Sequence, residues 1–287
     1  MGKKTSSMKR KKMIADVASY VALSVLGFIW ILPLVILLIS SFRNERTSDR
    51  TYVWPKEGFS LRNYIDLFKD TSALNYGQWL LNTLIVAIFT CIISTFMILA
   101  VSYTMSRLRF KMRKTFMNLA LILGMFPGFM SMIAVYIMFT LFNLNGTLVG
   151  LVIAYSAGSG AGFFVAKGFF DTIPKAIDEA ALIDGASKWT VFTKITIPLS
   201  KPIIVYTIFN SFLAAWTDFI LVNYLQGDKI DKYTVAKGLY TMLDIEHINA
   251  YYTRFCAGSV LVAVPLVILF ICMQKYYTEG VTGAVKG

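Results

Sequence analysis

Histidine occurs once in this chain, at His247, and cysteine only at Cys91, Cys256 and Cys272. A single imidazole cannot build a multi-histidine metal centre or a His-based catalytic triad. The cysteines have no paired spacing and fall in apolar stretches, so neither a zinc site nor a disulfide framework is indicated. No Gly-x-x-x-x-Gly-Lys-Ser/Thr run exists, so the chain has no loop with which to cradle and hydrolyse ATP. Gly158-Ser159-Gly160-Ala161-Gly162 has the wrong glycine spacing for a nucleotide loop and sits in an apolar segment. No cluster of acid, base, nucleophile or metal ligand stands out, which argues against a membrane-embedded enzyme. Charge is missing as well: between Lys114 and Lys167 there is no acidic or basic residue. No soluble core needs such a run.

What is present is apolar. Hydrophobic residues make up 56% of the chain, above the roughly 45–50% of soluble domains. Mean hydropathy is +0.62. The uncharged stretch alone holds two spans of about 20 residues for a hydrocarbon core near 30 Å, with Asn143-Leu144-Asn145-Gly146-Thr147 as the turn between them. Six spans are expected: Val17 to Phe42, Trp79 to Met105, Phe116 to Phe142, Leu148 to Phe170, Pro202 to Gln226 and Phe255 to Gln274. They must be helices, because lipid offers backbone groups no partner and the runs show no strand alternation. The first follows a basic start, but it is long and lacks a small-residue cleavage site, so it reads as a retained helix. Pro127 predicts a kink, and the pairs Gly124/Gly128 and Gly158/Gly162 suggest close helix packing.

Charge sets the orientation. With six spans both termini share a side with the Arg107 to Lys114 and Glu179 loops. That side carries about 18 of the 28 Lys and Arg against about 6 acids, the other about 10 against 9. The basic side is the cytosolic one. The net charge of +12 is thereby explained by topology, with some attraction to anionic lipid. The cations lie in separate short loops, so nucleic-acid binding has no support.

The longest cytosolic loop is built to fold. Asp171 or Thr172 can cap a helix that tolerates Pro174 in its first turn, and Asp184-Gly185 can stop it. Ala176, Ile177, Ala180, Ala181 and Ile183 form a small apolar face, with Lys175, Asp178 and Glu179 on the polar side. Ser187 can cap a second short helix carrying Trp189, Phe192 and Ile195, ended by Pro198. The expectation is a helix-turn-helix knob between two spans.

Glu179-Ala180-Ala181, Gly185 and Ile195-Thr196-Ile197-Pro198 stand in the register of the EAA loop, with Ile197 where Leu is usual. The chain therefore resembles permease subunits of bacterial ATP-binding-cassette importers. Trp54-Pro55, Ser60-Leu61-Arg62-Asn63-Tyr64 and the ending Gly280 to Gly287 resemble the carbohydrate branch, of MalG-like maltose and maltodextrin type. The likeness spans nearly the whole chain.

The resemblance implies an all-α integral membrane protein with the type I importer permease fold. Residues 1–16 would be a basic cytosolic segment, 17–277 the six-helix permease domain and 278–287 a cytosolic tail. Within the permease domain, 171–201 would be the coupling loop, and 43–77 and 227–252 outer loops. It implies a multi-pass subunit of the bacterial cytoplasmic membrane with no catalysis or cofactor of its own. Its partners would be a second permease, an ATPase dimer that binds ATP and Mg, and an extracellular or periplasmic sugar-binding protein. Glu179, Ala180, Ala181, Asp184, Gly185 and Pro198 would couple to the ATPase. Gly280, Gly283, Lys286 and Gly287 would reach between the ATPases. Lys229, Asp231, Lys232 and Tyr233 would meet the binding protein, although a solvated connector explains the same charges.

Asp218, the one acid well inside a span, either lines a pathway, serves packing, or lies near the outer end where water meets it. A permease for another solute, or an ion-driven transporter, are the alternatives. The latter would favour repeated halves and buried ion ligands, and only Asp218 is a candidate ligand.

Overall fold

The computed structural model describes residues 2–45, 53–70, 74–159, 162–245 and 247–284, and among them the regular secondary structure is helical apart from one isolated bridge, Arg43 to Phe59. The chain divides into two compact units, Met1–Lys69 with Met242–Val260, and Asp70–Thr241 with Leu261–Gly287.

The first unit is organised by α1 (Gly2–Ser41), α2 (Arg62–Lys69) and the start of α14 (Ile248–Ala284). Lys11–Ser41 is apolar all round and buries none of its most hydropathic window, which suits a helix whose solvent is lipid. Its outer end is fixed by polar contacts. Buried Asn63 donates through Nδ2 to the carbonyls of Ser41 (3.0 Å) and Arg43 (2.7 Å) and accepts from Thr253 Oγ1 at 3.1 Å. One side chain thus registers α1, α2 and α14.

The second unit is built on α3 (Tyr76–Arg107), about 48 Å long at 1.5 Å per residue. Its buried side mixes large residues, Trp79, Val86, Ile98, Leu99 and Tyr103 among them, with a run of small and polar ones: Thr83, Ala87, Thr90, Ser94, Ser102 and Ser106. Its exposed face carries Leu84, Ile88, Phe89, Ile92, Phe96 and Met97. This is the reverse of a soluble helix and follows from lipid: with no hydrophobic gain between helices, small residues let backbones approach. Against α3 pack α6 (Leu148–Gly158), α7 (Gly162–Thr172) and α11 (Lys201–Thr217). At Gly162 a Cβ would come within 2.9 Å of Ile98, so this glycine does serve close packing.

Several expected spans are broken. Phe116 to Phe142 is two helices, α4 (Arg113–Gly124) and α5 (Gly128–Leu141), meeting at 99° rather than at a mild kink. Pro127 is the extended residue before α5 and has no N–H to continue the ladder. Gly124 and Gly128 flank the break and have nothing within 4 Å of an added Cβ, so the packing expected there is absent. The fourth span is likewise the pair α6 and α7, the intervening 160–161 lying outside the described residues. The fifth stops at Thr217 and resumes as α12 (Ile220–Gln226). α14 passes its expected end at Gln274 and runs through Gly280 and Gly283 to Ala284. Lys286 and Gly287 lie outside the described residues. Three helices are long and apolar enough to cross a membrane, or up to six spans if each bent pair counts as one.

Candidate functional site

The 173–200 segment folds as a helical hairpin. Its first helix is α8 (Lys175–Ile183). The residue preceding it is Pro174, not Asp171 or Thr172, and no side chain caps it. Asp171 instead accepts from Ser106 Oγ at 2.6 Å and pairs with Lys167 at 2.5 Å, while Thr172 Oγ1 donates to the Phe169 carbonyl. The stop is as expected. Gly185 takes φ +85°, Gly185 N–H reaches Leu182 O (3.1 Å) and Ala186 N–H reaches Ala181 O (2.9 Å), a Schellman closure.

Ser187 then caps the second helix by accepting from Thr190 N–H at 3.1 Å. That helix is α9 (Lys188–Thr190), a π-turn (Val191–Thr196) and α10 (Ile197–Leu199). Pro198 does not end it, contrary to expectation. The wider π register already carries Ile197 N–H to Phe192 O, and the chain bends by 83° only after Leu199, before α11.

On α8 the apolar face is exposed, and the departure from expectation is Asp178, which leaves the polar side. Asp178 is its one buried residue, and Ile177, Leu182 and Ile183 face outward, Ile183 at 86% exposure. Asp178 turns in because Arg107, the last residue of α3, waits there. The Arg107 Nε lies 3.1 Å from Asp178 Oδ2, with the side chains 4% and 13% exposed, and Arg107 Nη2 donates to Ile173 O at 2.8 Å. Beneath them Leu99, Tyr103, Phe170, Ile173 and Phe192 form an apolar cluster. In the second helix Phe192 is buried against Tyr103, while Trp189 is exposed. Glu179, Ala180, Asp184 and Pro198 face solvent, and Ala181 is half-buried. The knob is thus bolted to α3 through Asp178 and leaves Ile177, Ala180 and Ile183 exposed, with Glu179 at the rim between. A cleft of about 440 Å³ lies at the bolted side.

At the opposite end of α3, the 227–241 segment is tied down. Trp79 Nε1 donates to Ile230 O (2.9 Å), Asn82 Nδ2 donates to Asp231 O (2.8 Å) and Tyr233 O (2.9 Å), and Thr83 Oγ1 accepts from Val235 N–H (2.8 Å). Gly238, in α13 (Val235–Thr241), lies flat on the Trp79 ring. Tyr233 is 5% exposed and packs on Trp79, so it offers no outer surface. Lys229, Asp231 and Lys232 do.

Between these ends lies a mainly apolar cavity of about 350 Å³, whose lining includes Ile98, Ala154, Ala214 and Leu221 and also Thr90 and Ser94 of α3, Tyr155 of α6, and Asn210, Ser211 and Asp218. Among the described residues the buried hydroxyls of Thr90 and Ser94 have no hydrogen-bond partner. Asp218 is half-buried at the helix break, where its Oδ1 accepts from Leu221 N–H at 3.1 Å and so caps α12. It therefore serves the backbone and borders the cavity at once, next to Tyr155. Sequence reading named none of the hydroxyl residues. The available clue was the four-residue repeat of Ser and Thr along α3.

Residues 97–281 match the family described as binding-protein-dependent transport system inner membrane component. The sequence is 32% identical over 284 residues to the galactooligosaccharides transport system permease protein GanQ of Bacillus subtilis, covering 98% of this chain and 99% of the relative. It is 33% identical to the maltodextrin transport system permease protein MalD of Streptococcus pneumoniae, with the same coverage. To the maltose/maltodextrin transport system permease protein MalG of Salmonella typhimurium it is 34% identical, over 73% of this chain and 72% of that one. A crystal structure of a bacterial ABC transporter involved in import of the acidic polysaccharide alginate matches with TM-score 0.78 at 19% identity, covering 93% of this chain and 98% of that chain. The alginate transporter in complex with a pentasaccharide-bound periplasmic protein matches with TM-score 0.66 at 18% identity, covering 92% and 94%. At those identities the structures speak for the fold.

Proposed function

The chain belongs to the binding-protein-dependent transport system inner membrane components, and from that premise we propose that it is one permease half of an ATP-driven oligosaccharide importer whose α8 knob docks on a separate ATPase. The observation that carries this is the division of labour on α8: Asp178 bolts it to α3, while Glu179, Ala180 and Ile183 are turned outward. An isolated nine-residue helix is marginal in water, so a helix held this way with its apolar side exposed is shaped to receive a partner.

In this reading the partners are a second permease, an ATPase dimer holding ATP and Mg, and an extracellular or periplasmic sugar-binding protein, all at the bacterial cytoplasmic membrane. Maltodextrin, galactooligosaccharide or a similar oligomer is the cargo, as the named relatives suggest. Closure of the ATPases pushes the knob, and Arg107 passes the displacement to α3. The loaded binding protein and ATP must both favour the same state for this to drive transport. The partner-less hydroxyls of the α3 cavity suit a path for a polyhydroxyl solute. Lys229, Asp231 and Lys232 are the proposed binding-protein contact, and the end of α14 with Gly280 and Gly283, continued by Lys286 and Gly287, the second ATPase contact. The proposed organisation keeps 1–16 and 278–287 as cytosolic ends around a permease domain at 17–277.

The test is reconstitution with the partners. Glu179→Lys or Gly185→Val should leave membrane insertion intact and cut the stimulation of ATPase activity by loaded binding protein at least tenfold. Undiminished stimulation in both variants refutes the docking assignment.

A further inference from the structure

The cleft at the bolted side of the knob has a charge pattern that docking does not use. Its lining includes Arg107, Arg109, Arg113, Lys175 and Lys188 against two carboxylates, Asp178 and Glu179, and Asp178 is already committed to Arg107. Among the described residues Arg109, Arg113, Lys175 and Lys188 make no ion pair. With Arg107 spent on Asp178, these four cations leave the cleft with an excess of positive charge that an anion would balance.

The surroundings say which anion. The connector from Leu108 to Met112 interleaves cations with exposed Phe110 and Met112, and Phe110 packs on Phe116 at 6.4 Å between ring centroids. It leads into α4, a helix with no buried residue, whose exposed Phe116, Leu119 and Leu123 extend an apolar surface away from the basic groups. Free phosphate would use only the cations. A phospholipid would use both surfaces, its phosphodiester in the cleft and its acyl chains along α4, with the long basic side chains reaching up from the interface.

We propose that this cleft binds the phosphodiester headgroup of an anionic phospholipid such as phosphatidylglycerol, in the leaflet that faces the knob. The lipid would be wedged between α3, the connector and α8, so that it braces the knob beside Glu179. Glu179, which also borders the cleft, keeps the pocket from being purely cationic and favours a singly charged diester over a doubly charged monoester.

This rests on the knob lying on the cytosolic face, but it is tested without the ATPase or binding protein, so either reading can fail alone. The purified full-length chain in mild detergent is titrated with phosphatidylglycerol and with phosphatidylcholine, and bound lipid is counted by native mass spectrometry. Phosphatidylglycerol should be retained preferentially at one site. Arg109→Gln with Lys188→Gln should weaken retention about 25-fold, taking about fivefold per basic group. Arg109→Lys with Lys188→Arg should keep it, and Lys12→Gln in α1 should not matter. Equal retention of both lipids, no loss in the double glutamine variant, or loss in the charge-conserving one overturns the proposal. Inorganic phosphate at millimolar concentration should not displace the lipid; displacement would assign the cleft to a free anion instead.

Discussion

Removing the Asp178 carboxylate should loosen the knob without unfolding the spans. In Asp178→Ala the Arg107 guanidinium stays buried and loses the countercharge it has among the described residues, keeping the bond from Nη2 to Ile173 O. Breaking a buried pair by deleting one partner costs about 3–5 kcal/mol, because the remaining charge is uncompensated. α8 has little reserve against such a loss: it is nine residues long, has no side-chain N-cap and buries no apolar residue. The cost therefore falls on local opening of the hairpin. At about 1.4 kcal/mol per tenfold change in equilibrium, amides in 175–190 should exchange at least about a hundredfold faster.

Hydrogen exchange read by mass spectrometry on the full chain resolves this, with α3 and α11 peptides as internal controls. Arg107→Ala should open the same segment. The pair Asp178→Leu with Arg107→Met should recover much of the protection, since an apolar pair of similar volume removes both the charge and its desolvation. In the reconstituted importer the single variants should lose binding-protein-stimulated ATPase activity and the apolar pair should regain part of it. Unchanged exchange in 175–190 in both single variants would refute the claim that this ion pair anchors the knob.

Two further outcomes concern the outer ends. A Cβ at Gly238 would lie 2.0 Å from the Trp79 ring, a fully buried side chain that cannot yield, so Gly238→Ala should destabilise the 227–241 segment by about 1–3 kcal/mol or more, seen as faster exchange there with 175–190 unaffected. Burial alone would raise the Glu45 carboxyl, but the N–H groups of Glu57 and Lys56 and the Arg43 charge outweigh it and hold its pKa below the ordinary 4.5. The protonated form is then disfavoured by folding, so the stability Glu45 contributes is full above 4.5 and is lost as pH falls through the lowered value. Exchange across 43–60 should accelerate in that acid window, and Glu45→Gln should flatten the dependence; an identical acid response in the variant would remove Glu45 as its cause.

The spans were legible because lipid demands long uncharged runs, and the charges between them set the topology. The breaks were less so. Ile203 to Leu225 reads as one apolar run, and nothing in its hydropathy marks Asp218 as the residue that ends α11 and caps α12. In the knob one residue was misplaced: Asp178 reads as polar surface beside Glu179, because nothing in the local sequence shows that Arg107, far earlier in the chain, comes to lie beneath it, and only the position of Arg107 in space turns it inward. Thr90 and Ser94 were passed over because hydroxyls at four-residue spacing in an apolar helix serve packing as readily as a pathway.

What joins these pieces is α3 itself. One end holds the 227–241 segment through Trp79, Asn82 and Thr83, its middle supplies the hydroxyls of Thr90 and Ser94 to the cavity, and its far end holds the knob through Arg107 and Tyr103. Ser106 joins α7 to the same far end through Asp171. A force on α8 that keeps the Arg107 pair intact must therefore move α3, and a helix hydrogen-bonded along its length carries that displacement without shortening. The cavity hydroxyls would ride on the moving element rather than beside it. Where the coupling gives way under load is then set by the weakest of these attachments. Among the described residues the hairpin end is held by one ion pair, two bonds to carbonyls, from Arg107 to Ile173 and from Tyr103 to Lys188, and the packing of Tyr103 on Phe192, against four hydrogen bonds at the other.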